Sequence, residues 1–183
     1  MHIQFPKIGM RVIKTCISCL IVALLYKYLL NGRNPCFACI GAVYGLGFQF
    51  TDGFKNGFNR FVGTLIGGLL VIPFYWLYVH TPFGIPDAVY LILGLLCVMY
   101  LHLVVGAGSA IQPGTVVYFV VMFTQPATGY VGYTIARIID TGVGAIVSLI
   151  ILALTRTDHD KRHGISIKRA YTRWREMNGK KSQ

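Results

Sequence analysis

Residues 88–136, AVYLILGLLCVMYLHLVVGAGSAIQPGTVVYFVVMFTQPATGYVGYTIA, contain no Asp, Glu, Lys or Arg. A soluble fold cannot cover such a length with polar surface, whereas one membrane crossing asks for about 20 consecutive apolar residues. The pattern holds on either side of this stretch. Residues 61–86 are also free of charge, and the 183-residue chain is 55% hydrophobic with only 13% charged residues. A soluble domain carries about 25% charged residues. Mean hydropathy is +0.60. These values exclude a soluble enzyme, a secreted disulfide module and a disordered tail. They describe an all-α integral membrane protein.

Apolar runs divide the chain into six expected transmembrane helices: residues 12–30, 36–50, 61–79, 88–105, 114–125 and 133–154. The third ends in Phe74, Tyr75, Trp76 and Tyr78, the aromatic residues that favour a membrane surface. The membrane domain is read as residues 1–155 and a basic tail as 156–183. Basic residues set the orientation. With the N-terminus inside, Lys7, Arg11, Lys14, Lys55, Arg60 and nine tail residues are cytoplasmic, against Lys27, Arg33 and Arg137 outside. This bias places both termini in the cytoplasm of a multi-pass protein of the cell (inner) membrane. The opening segment looks like a signal peptide but lacks a small-residue cleavage site, so it is read as a retained first helix. The net charge of +11 is concentrated in the tail, which suits an anionic lipid surface and not a nucleic acid. In the tail, Ile167, Ala170, Tyr171, Trp174 and Met177 form one stripe, the pattern of an interfacial helix.

The chain also repeats itself. Asn34-Pro35 opens the second run and Gln112-Pro113 the fifth. Arg60-Phe-Val-Gly63-Thr64-Leu-Ile-Gly67 then parallels Arg137-Ile-Ile-Asp140-Thr141-Gly-Val-Gly144, with Arg, Thr and Gly at the same offsets. The repeats span about residues 8–80 and 86–155. Each holds three helices, so two inverted three-helix repeats are expected, as in many transporters. The middle run of each half is short, which points to a substrate path near the bilayer midplane.

On these residues the chain resembles a known family. The segment from Asp52 through Lys55, Asn59, Arg60, Gly63 and Thr64 to Gly68 is similar to the signature of the fusaric acid resistance and aromatic acid exporter superfamily. So are Gly9-Met10-Arg11 with Lys14-Thr15, Asn34-Pro35, and Arg137 with Asp140-Thr141. The resemblance covers about residues 8–155. It implies a six-helix unit that exports aromatic carboxylic acids and other organic anions. Plant aluminium-activated malate transporters, which are dimeric anion channels, are distantly similar. Larger members join two units through a soluble domain, and many small ones add a cytoplasmic helical domain. This chain shows one unit and neither addition, which implies pairing as a homodimer.

Arg60 and Arg137 are expected in the first turn of their helices, where free N–H groups and a guanidinium together bind a carboxylate. Each has a competing reading as an interfacial Arg reaching lipid headgroups. Asp140, three residues beyond Arg137, either neutralises it or carries a coupled proton; Asp52 and His102 are further proton-coupling candidates. Gln49, Asn59, Thr64, Gln125 and Thr141 are candidate substrate-binding residues, the threonines also serving helix–helix hydrogen bonds. Ser148 reads the same way. Gly41-x-x-x-Gly45, Gly53-x-x-x-Gly57 and Gly63-x-x-x-Gly67 read as packing motifs, with surfaces on which two copies could also meet. Cys16-x-x-Cys19 and Cys36-x-x-Cys39 lack the His or carboxylate partners of a metal site. No catalytic constellation, metal site or cofactor is expected. The competing function is a non-transporting scaffold that binds a partner or anionic lipid through its basic tail.

Overall fold

The computed structural model describes residues 9–30, 33–47, 49–82, 84–155 and 167–179. These residues form helices joined by short connections: α1 (Met10–Tyr28), α2 (Cys36–Gly45), α3 (Phe50–His80) and α4 (Asp87–Val104). A single 3-10 turn (Gly108–Ala110) then leads into α5 (Ile111–Thr124), followed by α6 (Tyr130–Leu154) and α7 (Ile167–Gly179). Of these, α3, α4 and α6 are each long and apolar enough to cross a membrane.

The boundaries correct the sequence reading of the first half. The second helix stops at Gly45 and does not reach Phe50; Leu46 is extended. Residues 51–60, expected as a cytoplasmic loop, are the opening turns of the 31-residue α3. At 1.5 Å per residue α3 is about 46 Å long, well beyond a hydrocarbon core of about 30 Å. Its polar N-terminal third carries Asp52, Lys55, Asn56, Asn59 and Arg60. Asp52 sits in the first turn, where a carboxylate meets the positive end of the helix dipole.

Both short helices start where the sequence placed Pro. Asn34 Oδ1 accepts from the Cys36 N–H at 3.0 Å, and Pro35 supplies the cap of α2. Pro113 lies in the first turn of α5, where its missing N–H costs nothing. Between α4 and α5 the chain reverses through Gly106, whose φ of +70° glycine adopts without strain.

The short helix of each half packs on the long last helix of the other. One core gathers Val22, Tyr26, Ala38, Ala42, Val147 and Ile151 from α1, α2 and α6. A second gathers Val71, Tyr75, Val98, Val117, Tyr118, Val121 and Met122 from α3, α4 and α5. Glycines make these crossings close. A Cβ on Gly144 would lie 2.0 Å from the Ala38 carbonyl oxygen, and one on Gly67 would lie 2.3 Å from that of Gly114. Gly41 abuts the Thr141 carbonyl, Gly53 the Gly45 carbonyl, Gly63 the Ala110 carbonyl, and Gly57 lies over Ala145. All three Gly-x-x-x-Gly motifs are therefore used inside one chain. The expectation that their surfaces serve a second copy is corrected.

The tail stripe is partly reassigned as well. Ala170 and Trp174 are buried, Trp174 in a cluster with Ala107, Ala110, Phe58 and Val62, while Ile167 and Tyr171 are exposed. Within the stripe, Ala170 and Trp174 are thus covered by the protein itself. The Met177 side chain lies outside the described residues.

Candidate functional site

Two arginine environments sit at opposite ends of α2. Its first turn carries Phe37, whose ring centre is 4.2 Å from the Arg137 guanidinium carbon. Its last turn carries Tyr44, whose ring centre is 4.6 Å from that of Arg60. Seven residues of helix separate the two rings, about 10 Å along the axis. Neither arginine lies in a first helical turn: Arg60 is eleventh in α3 and Arg137 eighth in α6. Their own helices therefore supply no free N–H groups beside them, because helix interiors spend those donors on their own carbonyls.

Arg137 is enclosed and neutralised. It is 8% exposed, lies between Phe37 and Tyr133 (4.6 Å), and pairs with Asp140 Oδ2 at 3.1 Å. Asp140 is 1% exposed. Its Oδ1 accepts a 2.6 Å hydrogen bond from the Tyr26 hydroxyl and a longer contact of 3.4 Å from Arg33. Two cations and a phenol thus converge on one buried carboxylate. Such a cluster needs nearly all its partners, since a lone buried charge is heavily penalised.

Arg60 differs in the partner that its repeat position lacks. Where Arg137 has Asp140 three residues on, Arg60 has Gly63, and Gly63 is pressed against Ala110 and Pro113. Among the described residues no carboxylate pairs with Arg60, and its Nε is buried without a hydrogen-bond partner. It lines a cleft of about 470 Å³ with Tyr44, Lys55, Asn59, Ser109 and Gln112. The groups there are cationic, amide, hydroxyl and aromatic. That chemistry matches a carboxylate on a ring: a planar fork for the carboxylate and a π-face beside it.

The other sequence candidates divide between the site and the packing. Asn59 is in the cleft, buried beside Arg60. Thr64 and Thr141 are fully buried in helix crossings, and neither hydroxyl has a partner, so the expected interhelical hydrogen bonds are not made. Ser148 instead bonds the Ala145 carbonyl at 2.8 Å. Gln49 caps α3 through its backbone, its carbonyl accepting from Gly53 N at 3.0 Å. Gln125 ends α5, and its backbone carbonyl accepts from the Tyr75 hydroxyl at 2.7 Å. Neither glutamine lines the Arg60 cleft, nor does Asp52. His102 is buried, with Nδ1 2.6 Å from the Val98 carbonyl of its own helix and its ring against Gly114. Sequence reasoning missed Tyr26, Arg33, Phe37 and Tyr44 as members of these sites. Among the described residues no group of His, Cys, Asp and Glu is arranged to hold a metal ion.

No curated protein and no solved structure matches the chain. The profile described as Aromatic acid exporter family member 1 matches residues 6–155, a span that takes in both arginine sites and every helix from α1 to α6. The chain therefore belongs to the aromatic acid exporter family, a family of membrane transporters.

Proposed function

We propose that this protein exports organic anions, aromatic carboxylates foremost, across the cell (inner) membrane, with Arg60 as the carboxylate-binding group. The observation that carries the reading is the state of Arg60. A partly buried guanidinium that faces a cleft, with no carboxylate neighbour among the described residues, is a group that an anion can pair with. Its cleft offers donors and an aromatic face, and the family's transport role agrees.

Six transmembrane helices in two inverted repeats fit this role. In support, α2 crosses α6 and α5 crosses α3 through equivalent glycines, the exchange that two oppositely oriented halves would make. The N-terminal part of α1 meets the end of α6, where Lys14 Nζ donates to the Thr155 carbonyl at 2.8 Å. That contact supports both ends of the membrane domain on one side, read as cytoplasmic from the basic residues.

Arg137 enters as a second station. While Asp140 is ionised, Arg137 and Arg33 are held on it; a proton on Asp140 would release both guanidinium groups toward a substrate carboxylate. Proton binding and anion binding would then favour one another at one place, which makes anion flux responsive to a pH gradient. The competing scaffold reading requires no flux at all. Labelled benzoate flux through proteoliposomes containing the pure chain, against protein-free liposomes, separates the two. Flux that Arg60→Ala sharply lowers at low benzoate is expected; flux no higher than in protein-free liposomes would refute transport of this substrate class.

A further inference from the structure

The Arg137 cluster shows what the Arg60 cleft lacks. The Arg137 guanidinium has a ring on α2, Phe37, a ring on its own helix, Tyr133, and the Asp140 carboxylate. The proposed repeat gives each of these a counterpart at Arg60. Phe37 is second after Pro35 and Thr115 second after Pro113; Tyr133 is fourth before Arg137 and Asn56 fourth before Arg60; Asp140 matches Gly63. Thr115 and Asn56 both line the cleft. Two rings and a carboxylate are thus replaced by two short polar side chains and a glycine, and a space of about 470 Å³ opens beside the guanidinium. Ligand pockets run from about 300 to 1,000 Å³. Among the described residues Arg60 keeps one ring, Tyr44, which belongs to α2 of its own half.

We infer that Thr115 and Asn56 are specificity-determining residues of the Arg60 site: their short side chains leave room for the ring of a bound aromatic carboxylate, the room that Phe37 and Tyr133 fill at Arg137. This rests on the readings of Arg60 and of the repeat given above. The chemistry separates ring from carboxylate. A carboxylate only accepts hydrogen bonds, and the Thr115 hydroxyl already donates to the Gln112 carbonyl at 3.0 Å. Thr115 therefore bounds the ring and leaves the carboxylate to the guanidinium. Asn56 lies about one turn before Arg60 on the same face of α3, as Tyr133 does before Arg137 on α6. The Tyr133 ring reaches its guanidinium at 4.6 Å, so a substrate ring in the space over Asn56 would reach Arg60 as closely. A cation beside a π-face is attracted to it, the more so when water is excluded. The chain thereby carries a filled and an open version of one arrangement, and at Arg137 its own side chains take the places open to a substrate at Arg60.

The test uses the full chain in proteoliposomes with labelled benzoate and labelled 2-naphthoate as probes. Thr115→Phe and Asn56→Tyr put back the rings of the Arg137 site. Each should raise the half-saturating benzoate concentration roughly tenfold or more, the effect of overfilling a fitted space. A variant at the parent value removes its residue from the assignment, and both at the parent value overturn it. A lower maximal flux with unchanged half-saturation would mean that the added ring blocks passage outside the site, and that result also overturns the inference. Thr115→Ala and Asn56→Ala widen the space instead. They should lower the half-saturation of 2-naphthoate relative to that of benzoate by roughly threefold, and they decide if the ring variants fail to fold; an unchanged ratio in both overturns the inference. Arg60→Ala, measured alongside, keeps the readings apart. If it matches the parent, the Arg60 site fails and this inference with it. If it loses benzoate affinity while the Thr115 and Asn56 variants match the parent, only the present assignment fails.

Discussion

The residue three positions beyond each repeat arginine decides what that arginine does. Asp140 binds Arg137 into a buried cluster, whereas Gly63 leaves Arg60 facing a cleft. Replacing Asp140 by Asn should leave Arg137 buried and largely uncompensated, costing about 3–5 kcal/mol. Tyr26→Phe removes one hydrogen bond to the same carboxylate and should cost about 1.5–3 kcal/mol. Thermal midpoints in detergent check both, and parent-like values would contradict the buried cluster. If Asp140 carries the coupled proton, benzoate flux in Asp140→Asn should no longer respond to an imposed pH gradient, while the parent's does; equal responses would remove Asp140 from coupling. The Arg137–Asp140 pair was legible in the sequence because a spacing of three puts both on one helical face. Tyr26 and Arg33 were not, since they lie 114 and 107 residues away and only the packing of α1 and α2 on α6 brings them in.

At the scale of elements, short helices and glycines position both sites. Gly67 and Gly144 each meet a carbonyl of the opposite half's short helix at less than ordinary contact distance. A methyl group there must force the helices apart, so Gly67→Ala and Gly144→Ala should each cost about 1–3 kcal/mol. Gly132, in α6 with open space around its Cβ direction, is the control; its Ala variant should be neutral or more stable by up to about 1 kcal/mol. Equal midpoints for all three variants would refute the close-crossing account. Hydropathy located the six apolar runs but misjudged the start of α3, because Asp52, Lys55, Asn56 and Asn59 read as a loop. A helix needs only its backbone hydrogen bonds, and Gly53 and Gly57 seat that polar stretch against Gly45, Leu152 and Ala145. The same error put Arg60 in a first turn. The tail stripe was legible as amphipathic, but nothing local distinguishes a lipid surface from the flank of α3 as the cover for Trp174.

At the scale of the molecule, we propose a six-helix exporter with both ends cytoplasmic, working as a homodimer. The intrachain use of the Gly-x-x-x-Gly motifs removes one argument for pairing. The short α2 and α5 remain, because elements too short to span favour burial or oligomerisation. Cross-linking with mass measurement in nanodiscs should give twice the 20.3 kDa chain mass; a monomer that transports at the full rate would contradict the dimer. A terminal tag accessible only from outside would contradict the orientation. The central claim, that Arg60 is the carboxylate-binding group, is tested most directly by benzoate flux against concentration for the parent, Arg60→Ala and Arg60→Lys. Loss of two charge-assisted hydrogen bonds predicts a fall of about 30-fold or more in flux at low benzoate for the Ala variant. The Lys variant should fall between, keeping the charge but not the planar fork. Parent-like flux and half-saturation in Arg60→Ala would contradict the account.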